Sequence, residues 1–344
     1  MRRLLKKSVW IGIGNAILFL MALGWTLAQG SSDGSRVKIV VIKTRDIPFY
    51  NPTVQGFTNG LKSRGYSGKG KLDLKVVALS GKEDADTRLV QSILADKPQL
   101  VVTMGTDATR QVAEQKPTLP VLFSMVLDPV ALGVAKSLDA PGGNFTGTTL
   151  LVSPGKQLDS LIQTAPKTHR IGILYTDQDP TSLAFLEDAK QDAKRLNMEL
   201  DPIAVKSGQA SKEALSQLKA DTNALWLIPD PASTGPQALT ATLEYARAHH
   251  LPILGMSGAT VRAGALLALS ASLEDLGDVT ADMAAHLLDG SDKTSQMRVR
   301  GPRRTLLSLN LLTAHDLGIA IPPAVLHLAD EVIDKENDKD NEEK

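Results

Sequence analysis

The chain contains no cysteine among its 344 residues. This absence excludes disulfide bonds, thiolate catalysis, thiolate zinc sites and a lipidated N-terminal cysteine. It leaves the compartment open, because an exported protein does not need a disulfide. Aromatic residues make up only 4% of the chain, which argues against a platform for stacked nucleic-acid bases. An excess of either charge is also lacking, since 38 basic residues balance 38 acidic ones. No overall field therefore attracts the chain to nucleic acid or to an anionic membrane surface.

Several short motifs of enzymes and regulators are missing as well. The sequence has no glycine-rich phosphate loop that ends in Gly-Lys-Ser/Thr, so we expect no ATP hydrolysis by the chain itself. No helix-turn-helix precedes the first strand, which argues against a DNA-binding regulator. The six histidines are scattered, and the adjacent pair His249-His250 points to different faces of a helix, which does not suit a shared metal. We expect no cofactor, no bound metal and no nucleic-acid partner.

The N-terminus has the pattern of a secretory signal. Four basic residues stand among the first seven, an apolar stretch runs from Val9 to about Leu27, and Thr26-Leu27-Ala28 offers small residues to a signal peptidase. We therefore predict a cleaved signal peptide over residues 1–28 and a linker over residues 29–36. The alternative is an uncleaved membrane anchor, since the apolar stretch approaches the length of a spanning helix. Both predictions place the mature chain outside the cytoplasm, in the periplasm or its equivalent.

Apolar runs alternate with amphipathic segments along the rest of the chain, whose length and 42% hydrophobic content fit two domains. Helical stripes separate the first four predicted strands, which are Val37–Ile42, Leu72–Leu79, Leu100–Met104 and Val121–Val126. The same alternation starts again at Arg170–Tyr175 and continues to a helix at Asp278–Leu288. Such alternation predicts an α/β fold with two doubly wound parallel-sheet lobes. We place the junction between the lobes near Thr146–Val152.

The stretch Leu122–Thr149 is central to this organisation. Asp128 follows a buried strand directly, at the strand end where ligands enter open α/β sheets, and Pro129 suits the first turn of a short helix. The turn cluster Pro141-Gly142-Gly143-Asn144 follows. We interpret this cluster as a turn that also carries the chain from one lobe to the other.

A long motif in this stretch resembles the signature of an exported ABC-transporter substrate-binding family, whose relatives include bacterial tryptophan- and tyrosine-type binding proteins. The motif begins at Leu127-Asp128-Pro129-Val130 and ends at Asn144-Phe145-Thr146-Gly147. Weaker matches in the family's order are Gly105-Thr106, Arg170-Ile171-Gly172-Ile173-Leu174-Tyr175, Gly264-Ala265, Leu276-Gly277, Leu287-Leu288-Asp289-Gly290, Leu309-Asn310 and Ala314-His315-Asp316-Leu317-Gly318-Ile319. Together the matches extend from about Val37 to Asp330.

The resemblance implies a type I periplasmic-binding fold with a hinge and a cleft between two lobes. It implies a monomer that is not an enzyme, that closes on a small polar, amino-acid-like solute and that docks on an ABC permease. It also implies that the last third of the chain crosses back. We therefore assign residues 37–147 and about 274–296 to lobe 1, and residues 148–273 and about 297–330 to lobe 2. Residues 331–344 are predicted to be a disordered polar tail.

Two departures from the family pattern lie near the expected cleft. Many relatives have Asn-Pro after the tyrosine that matches Tyr175, whereas this chain has Thr176-Asp177. Many also have an aromatic residue before the Leu-Gly pair, whereas Leu273-Glu274-Asp275 stands here. These differences weaken the inference that the solute is an aromatic amino acid.

Candidate site residues of the first lobe stand where strands end. Gly105 and Thr106 lead into a helix and offer N–H groups and a hydroxyl to a carboxylate, unless Thr106 only caps its helix. Asp128 offers a carboxylate to an ammonium group, or caps the turn behind it. Arg45 offers a fork for a carboxylate or a surface ion pair, and Tyr50 offers a ring with a hydroxyl or packs over the lobe edge. The signature adds Thr146 to the candidate ligand-binding residues.

In the second lobe the strand ends place Tyr175, Asp230 and Ser257 opposite these residues. Asp230-Pro231 equally fits a turn. Ser257 lies in Gly255-Met256-Ser257-Gly258-Ala259, which partly resembles the nucleophile elbow of a serine hydrolase but has alanine in place of the last glycine. Two alternatives to transport therefore stay open. One is an exported sensing module for a membrane receptor or kinase, and the other, less favoured, is a hydrolase.

Overall fold

Two mainly parallel β-sheets with helices on both faces make up the structure, a computed structural model that describes residues 36–67, 71–206 and 211–334. The predicted signal peptide, the linker up to residue 35 and the tail beyond residue 334 lie outside the described residues. Within the described ranges, no helix combines the length and the apolar character that crossing a bilayer requires. The architecture confirms the predicted α/β class.

The first lobe is a five-stranded, all-parallel sheet with the strand order β2-β1-β3-β4-β5. Its inner strands β1, β3 and β4 are mostly apolar and largely buried, as is typical of parallel sheets. Its elements are β1 (Val37–Lys43), a 3₁₀ turn (Pro48–Tyr50), α1 (Asn51–Ser63), β2 (Leu72–Ala78), α2 (Glu83–Ala95), β3 (Leu100–Met104), α3 (Thr106–Glu114), β4 (Val121–Val126) and β5 (Phe145–Thr149).

The second lobe is a seven-stranded sheet with the order β12-β11-β10-β9-β8-β6-β7. Most neighbours are parallel, and β10 and β11 are antiparallel. Its elements are α4 (Pro154–Thr164), β6 (Arg170–Thr176), α5 (Pro180–Arg195), β7 (Glu199–Val205), α6 (Ser211–Leu215), β8 (Ala224–Trp226), α7 (Pro231–Thr234), α8 (Pro236–His249), β9 (Ile253–Gly255), α9 (Gly258–Arg262), β10 (Leu267–Ala271), β11 (Thr305–Asn310), α11 (Leu311–Asp316), α12 (Pro323–His327) and β12 (Glu331–Ile333).

The beginning of the predicted tail is wrong, because residues 331–333 form strand β12. Glu331, Val332 and Ile333 pair with Ser308, Leu309 and Asn310 of β11. Ile333 is buried in the core of the second lobe, and the Glu331 carboxylate accepts a hydrogen bond from the Ser308 hydroxyl at 2.9 Å. The burial of Ile333 and the pairing with β11 order this segment, although most of the predicted tail is polar.

Three crossings join the lobes, and the turn cluster at residues 141–144 is not one of them. Asn144 stays in the first lobe, where its Nδ2 donates to the carbonyl oxygens of Pro117 (2.7 Å) and Leu119 (2.8 Å), and β5 follows it. The prediction that this turn carries the chain between the lobes is therefore wrong. The first crossing is residues 150–153, which overlap the predicted junction at residues 146–152. The second crossing is Ser272, and the third is residues 301–304.

The crossings are hydrogen-bonded to one another or to the strands beside them. The Ser272 N–H donates to the Arg304 carbonyl at 3.0 Å, and the Leu150 N–H donates to the Val126 carbonyl of β4 at 3.1 Å. Met297 and Val299 are buried in the core of the first lobe. The first lobe thus includes residues 148–149 and 297–300, which were predicted to belong to the second lobe.

Helix α10 (Leu273–Leu288) leaves the second sheet and packs on the first lobe beside α1. Its buried face, which includes Leu276, Val279 and Met283, shares a core with Phe57 and Leu61 of α1. The backbones approach so closely that a Cβ on Gly277 would overlap the Thr53 carbonyl oxygen and lie 2.6 Å from the Phe57 nitrogen. Glycine at this position is therefore a condition for the docking of α10.

Ion pairs lie at the solvent-exposed edge of the contact between α1 and α10. Arg64, the residue that follows α1, donates Nη1 to Asp278 Oδ1 (2.6 Å) and Nε to Asp282 Oδ1 (3.2 Å). Arg303 Nη2 reaches Asp278 Oδ2 (2.6 Å), and Arg300 Nη1 reaches Asp282 Oδ2 (2.7 Å). The hydrogen bond from Arg64, helped by Arg303, holds the pKa of Asp278 below its usual value. Partial burial raises the pKa of Asp282, but hydrogen bonds from Arg300 and Arg64 outweigh it and lower that pKa.

Replacing Gly277 by alanine should destabilise the protein by about 1–3 kcal/mol, because the added methyl group forces α10 away from α1. Helix propensity alone would favour alanine over glycine by about 0.5–1 kcal/mol. A loss of stability can therefore be assigned to the packing of the two helices. The measurement is urea unfolding of the purified exported protein. Gly143→Ala is the matched control, since a Cβ there meets no atom within 4 Å. Equal effects of the two substitutions would contradict the close contact.

The unfolding free energy should fall as the pH drops below the ordinary aspartate value of 3.8. A carboxyl whose pKa is lower in the folded state binds its proton more weakly there, so its stabilisation is present above 3.8 and is lost on acidification. Asp278→Asn should therefore lower stability at pH 7, and its difference from the wild type should shrink in acid. Asp107→Asn, which removes an exposed pair with Arg110, should change stability by less than about 0.5 kcal/mol at either pH. A constant difference between Asp278→Asn and wild type across pH would contradict this account.

Candidate functional site

A cavity of about 670 Å³ lies between the lobes, at the three crossings. Phe49, Pro52 and Leu127 line it from the first lobe, together with Leu273 and Glu274 at the start of the helix over residues 273–288, which packs on that lobe. The remaining lining residues come from the crossings and the second lobe, and they are Leu150, Leu151, Val152, Gln157, Pro229, Met256, Ser257, Leu269, Ser270, Ala271, Ser272, Arg304 and Leu306. Because each lobe and each crossing contributes to the wall, any hinge motion changes the shape of this cavity.

Most of the cavity wall is apolar, and several of its polar groups already have partners within the protein. Gln157 donates Nε2 to the Val152 carbonyl (2.8 Å), and its Oε1 accepts from Trp226 Nε1 (3.2 Å). The Ser272 hydroxyl accepts from the Asp275 N–H at 3.3 Å and caps α10. These groups shape the wall, which leaves few polar groups in it to orient a solute, as is common in small-molecule sites.

The structure brings Tyr50 and Gly105 together, but next to the cavity lining and not in it. Tyr50 is 8% exposed and belongs to the core of the first lobe. Gly105 has φ = +96°, and a Cβ there would lie 2.6 Å from Thr44 Oγ1 and 3.0 Å from the Tyr50 hydroxyl. Its N–H donates to the Ser124 carbonyl at 2.9 Å, so this donor is already used. Thr106 is half-buried at the first position of α3.

Asp128, Arg45 and Thr146 also lie outside the lining. Asp128 Oδ1 accepts from the N–H groups of Val130 and Ala131 at 2.9 Å, which is the capping role weighed against ligand binding. The segment behind Pro129 forms hydrogen-bonded turns, and the predicted short helix is absent from it. Arg45 is exposed and donates Nη1 to the Thr44 carbonyl at 2.7 Å.

Thr146 is fully buried within the first lobe. Its hydroxyl donates to the Met297 carbonyl oxygen at 2.6 Å. This bond ties β5 to the segment that follows α10. We therefore leave Thr146 out of the site that we propose below.

Of the residues predicted in the second lobe, Ser257 lines the cavity and Tyr175 and Asp230 do not. Asp230 is 1% exposed. Its carboxylate accepts from the Thr176 N–H (2.7 Å), the Thr176 hydroxyl (2.7 Å) and the Ala232 N–H (2.6 Å), and also from the Ser182 hydroxyl. Tyr175 is half-buried against the second-lobe core. Asp230 thus organises the end of β6 and the start of α7.

Three lining residues that sequence reasoning missed are immediate neighbours of predicted ones. Phe49 precedes Tyr50, Leu127 precedes Asp128, and Pro229 precedes Asp230. The strand-end rule located the correct loops, but a search for polar side chains passed over the apolar residue beside each. Glu274 was noted only as a departure from the family pattern. Its place in the first turn after the second crossing was the signal that could have identified it.

The described residues offer no catalytic or metal-binding constellation at Ser257. No histidine lines the cavity, and His286 instead pairs through Nδ1 with Asp292 Oδ2 at 2.9 Å. The Thr260 hydroxyl accepts from the Ser257 N–H (3.2 Å) and donates to its carbonyl (2.7 Å), which closes the first turn of α9. Over the same residues, no group of three or more histidine and carboxylate side chains is placed to hold a metal ion.

Comparisons with known proteins agree on one family. The model of the family described as ABC transporter substrate binding protein matches residues 38–333. A tyrosine-binding protein of Clostridioides difficile (strain R20291) is 24% identical over 245 residues, which are 71% of this chain and 70% of that protein. The structure of an ABC domain in complex with L-Trp from Streptococcus pneumoniae is 25% identical, with a TM-score of 0.68 over 87% of this chain and 100% of that one.

A further structure shows the same fold. It is the ligand-free, open form of a substrate-binding protein with adhesive properties from Clostridium difficile, and it is 23% identical to this chain. The TM-score is 0.73, and the match covers 86% of this chain and 98% of that one.

Replacing Asp230 by alanine should lower the unfolding free energy by at least about 2 kcal/mol, because it removes the acceptor of the Thr176 and Ala232 N–H groups and of the Thr176 hydroxyl. Urea unfolding of the exported protein provides the measurement. Asp177→Ala is the control, since that aspartate follows the same strand and its side chain has no hydrogen-bond partner among the described residues. A loss at Asp230 no larger than that of the control would show that its carboxylate is not needed for the fold.

Proposed function

The chain belongs to the ABC transporter substrate-binding protein family, and we propose that it holds an amino-acid-like solute in the 670 Å³ cavity between its lobes. The observation that supports this site most directly is the composition of the wall, to which both lobes and all three crossings contribute. Closure of a hinged pair of lobes on a solute buries the solute and changes the outer shape of the protein. An ABC permease is the partner that the family implies, and this change of shape is the signal that we propose the permease reads.

The dimensions and chemistry of the cavity support a small solute with an apolar part. Its volume falls within the range of about 300–1,000 Å³ that is common for small-molecule sites. Leu127, Leu151, Met256 and Leu269 are among the apolar side chains of the wall. An amino-acid-like solute fits this character, and the tyrosine and L-Trp named for the relatives are solutes of that class.

Substrate-binding proteins of ABC importers are extracytoplasmic, and this chain shares that location. We propose that residues 1–28 are the signal that exports it and that cleavage follows Ala28. Four basic residues before an apolar stretch support this assignment. N-terminal sequencing of the protein recovered from outside the cytoplasm tests cleavage directly, since an uncleaved anchor would leave Met1 in place.

Enlarging a side chain of the wall should weaken solute binding. Met256→Trp adds bulk to the second-lobe wall, so we expect about a tenfold loss of affinity, which corresponds to about 1.4 kcal/mol. Calorimetric titration of the purified exported protein with the natural amino acids, beginning with tyrosine and tryptophan, gives the affinities. Leu183→Trp, at a position of the same lobe that is 46% exposed and outside the wall, is the control and should bind like the wild type.

Two outcomes would count against this site. If Met256→Trp binds the solute as tightly as the wild type, the solute must bind in another part of the molecule. Wild-type protein that shows neither heat nor thermal stabilisation with any amino acid or small organic amine would overturn the proposed capture of an amino-acid-like solute. The melting temperature of each variant without solute separates a loss of folding from a loss of binding.

A further inference from the structure

The ionisable side chains that line the cavity do not balance each other. They are Glu274 and Arg304. Arg304 donates Nη2 to Asp330 Oδ1 at 2.9 Å, and Asp330 Oδ2 accepts from the Leu307 N–H at 2.9 Å. The Glu274 carboxylate is exposed and has no hydrogen-bond or ion-pair partner within the part of the chain that the structure describes. The wall therefore carries one negative charge without a counter-charge.

An exposed aromatic ring lines the same cavity. Phe49 is 49% exposed, and its ring meets Tyr50 edge-on with the centroids 5.5 Å apart. This arrangement leaves Phe49 as the outer ring of the pair, while Tyr50 is buried behind it. The face of an aromatic ring attracts an organic cation, and a carboxylate accepts hydrogen bonds from an ammonium group. Glu274 and Phe49 thus provide complementary groups for one kind of ligand atom.

The described wall offers a solute carboxylate no cation that lacks a partner. Its one cation is Arg304, which pairs through Nη2 with Asp330 Oδ1 at 2.9 Å. The Gly105 N–H, which sequence reasoning assigned to a carboxylate, donates to the Ser124 carbonyl. Arg45 lies outside the lining. The charges of this cavity therefore favour the amino end of a zwitterion over its acid end.

We infer that Glu274 and Phe49 bind the cationic group of the solute, that the solute is an organic amine with an apolar body, and that it does not need a carboxylate. This inference rests on the proposed function, since it uses the same cavity. It narrows the solute class to compounds with a positive charge at one end. Amines that lack a carboxylate become candidates alongside amino acids.

A simpler explanation of Glu274 is that it only complements the dipole of α10. It stands in the first turn of that helix, where an acidic side chain is favourable. Glu83 stands in the first turn of α2 in the first lobe, is exposed, and does not line the cavity. Glu83→Gln therefore removes the same helix interaction and leaves the cavity unchanged, which makes it a matched control for Glu274→Gln.

The test compares amine, amino acid and acid on a common skeleton. Calorimetric titration of the exported protein uses tryptamine, tryptophan and indole-3-propionate, and then isoamylamine, leucine and 4-methylpentanoate. In at least one set we expect the amine to bind within about tenfold of the amino acid or more tightly, and the acid not to bind. Glu274→Gln should weaken amine binding by about tenfold or more, whereas Glu83→Gln should change it less than about twofold.

Each other outcome overturns a defined statement. Acids that bind as tightly as the amines, or amine binding that Glu274→Gln leaves unchanged, would overturn the inference and leave solute capture intact. Ile47 is an exposed neighbour of Phe49 that does not line the cavity. If Phe49→Ala and Ile47→Ala bind the amines with the same affinity, the inferred role of the Phe49 ring is wrong. Wild-type protein that binds none of the six compounds and no natural amino acid would overturn both this inference and the proposed function. Urea midpoints of the variants show whether any loss reflects unfolding.

Discussion

The backbone contact between α1 and α10 is the constraint on which the rest of the structure depends. A Cβ on Gly277 would overlap the Thr53 carbonyl oxygen, and one on Gly56 would overlap that of Glu274. Such proximity commits α10 to the first lobe although the strand before it belongs to the second. The chain must then cross once more to reach β11. This return adds part of the cavity wall, because Glu274 follows the second crossing closely and Arg304 is the last residue of the third.

Buried polar contacts reinforce the same docking. The hydroxyls of Ser124, Thr148 and Thr280 are fully buried and lie 3.0–3.1 Å from one another, so that β4, β5 and α10 share a closed triangle of hydrogen bonds. Unpaired hydroxyls at this depth would be costly, and the triangle satisfies all three. It also restricts where α10 can sit along the first sheet. The glycine contact sets how near the helix comes, and the hydroxyls set its register.

The strands and their loops could be predicted from the sequence, but of the side chains that line the cavity only Ser257 was among the predicted site residues. Apolar runs and glycine stops follow from short-range physics, and β3 and β4 begin and end where the pattern predicts. The polar residues at strand ends behave differently, because Asp128 and Asp230 satisfy N–H groups of their own turns. Their apolar neighbours then face the gap. Whether a strand-end aspartate caps a turn or faces a solute depends on backbone geometry that residue types alone do not specify.

The lone charge of Glu274 also bears on when the lobes close. The closure that we propose would withdraw the Glu274 carboxylate from water, and burial of a charge without a partner is unfavourable. A solute that brings its own positive charge offsets this cost, so the closed form gains stability only when such a solute is present. A neutral or anionic compound of the same shape would fill the cavity but leave the carboxylate uncompensated. Glu274, which we propose binds the solute, would thereby keep the empty protein open and exclude solutes of the wrong charge.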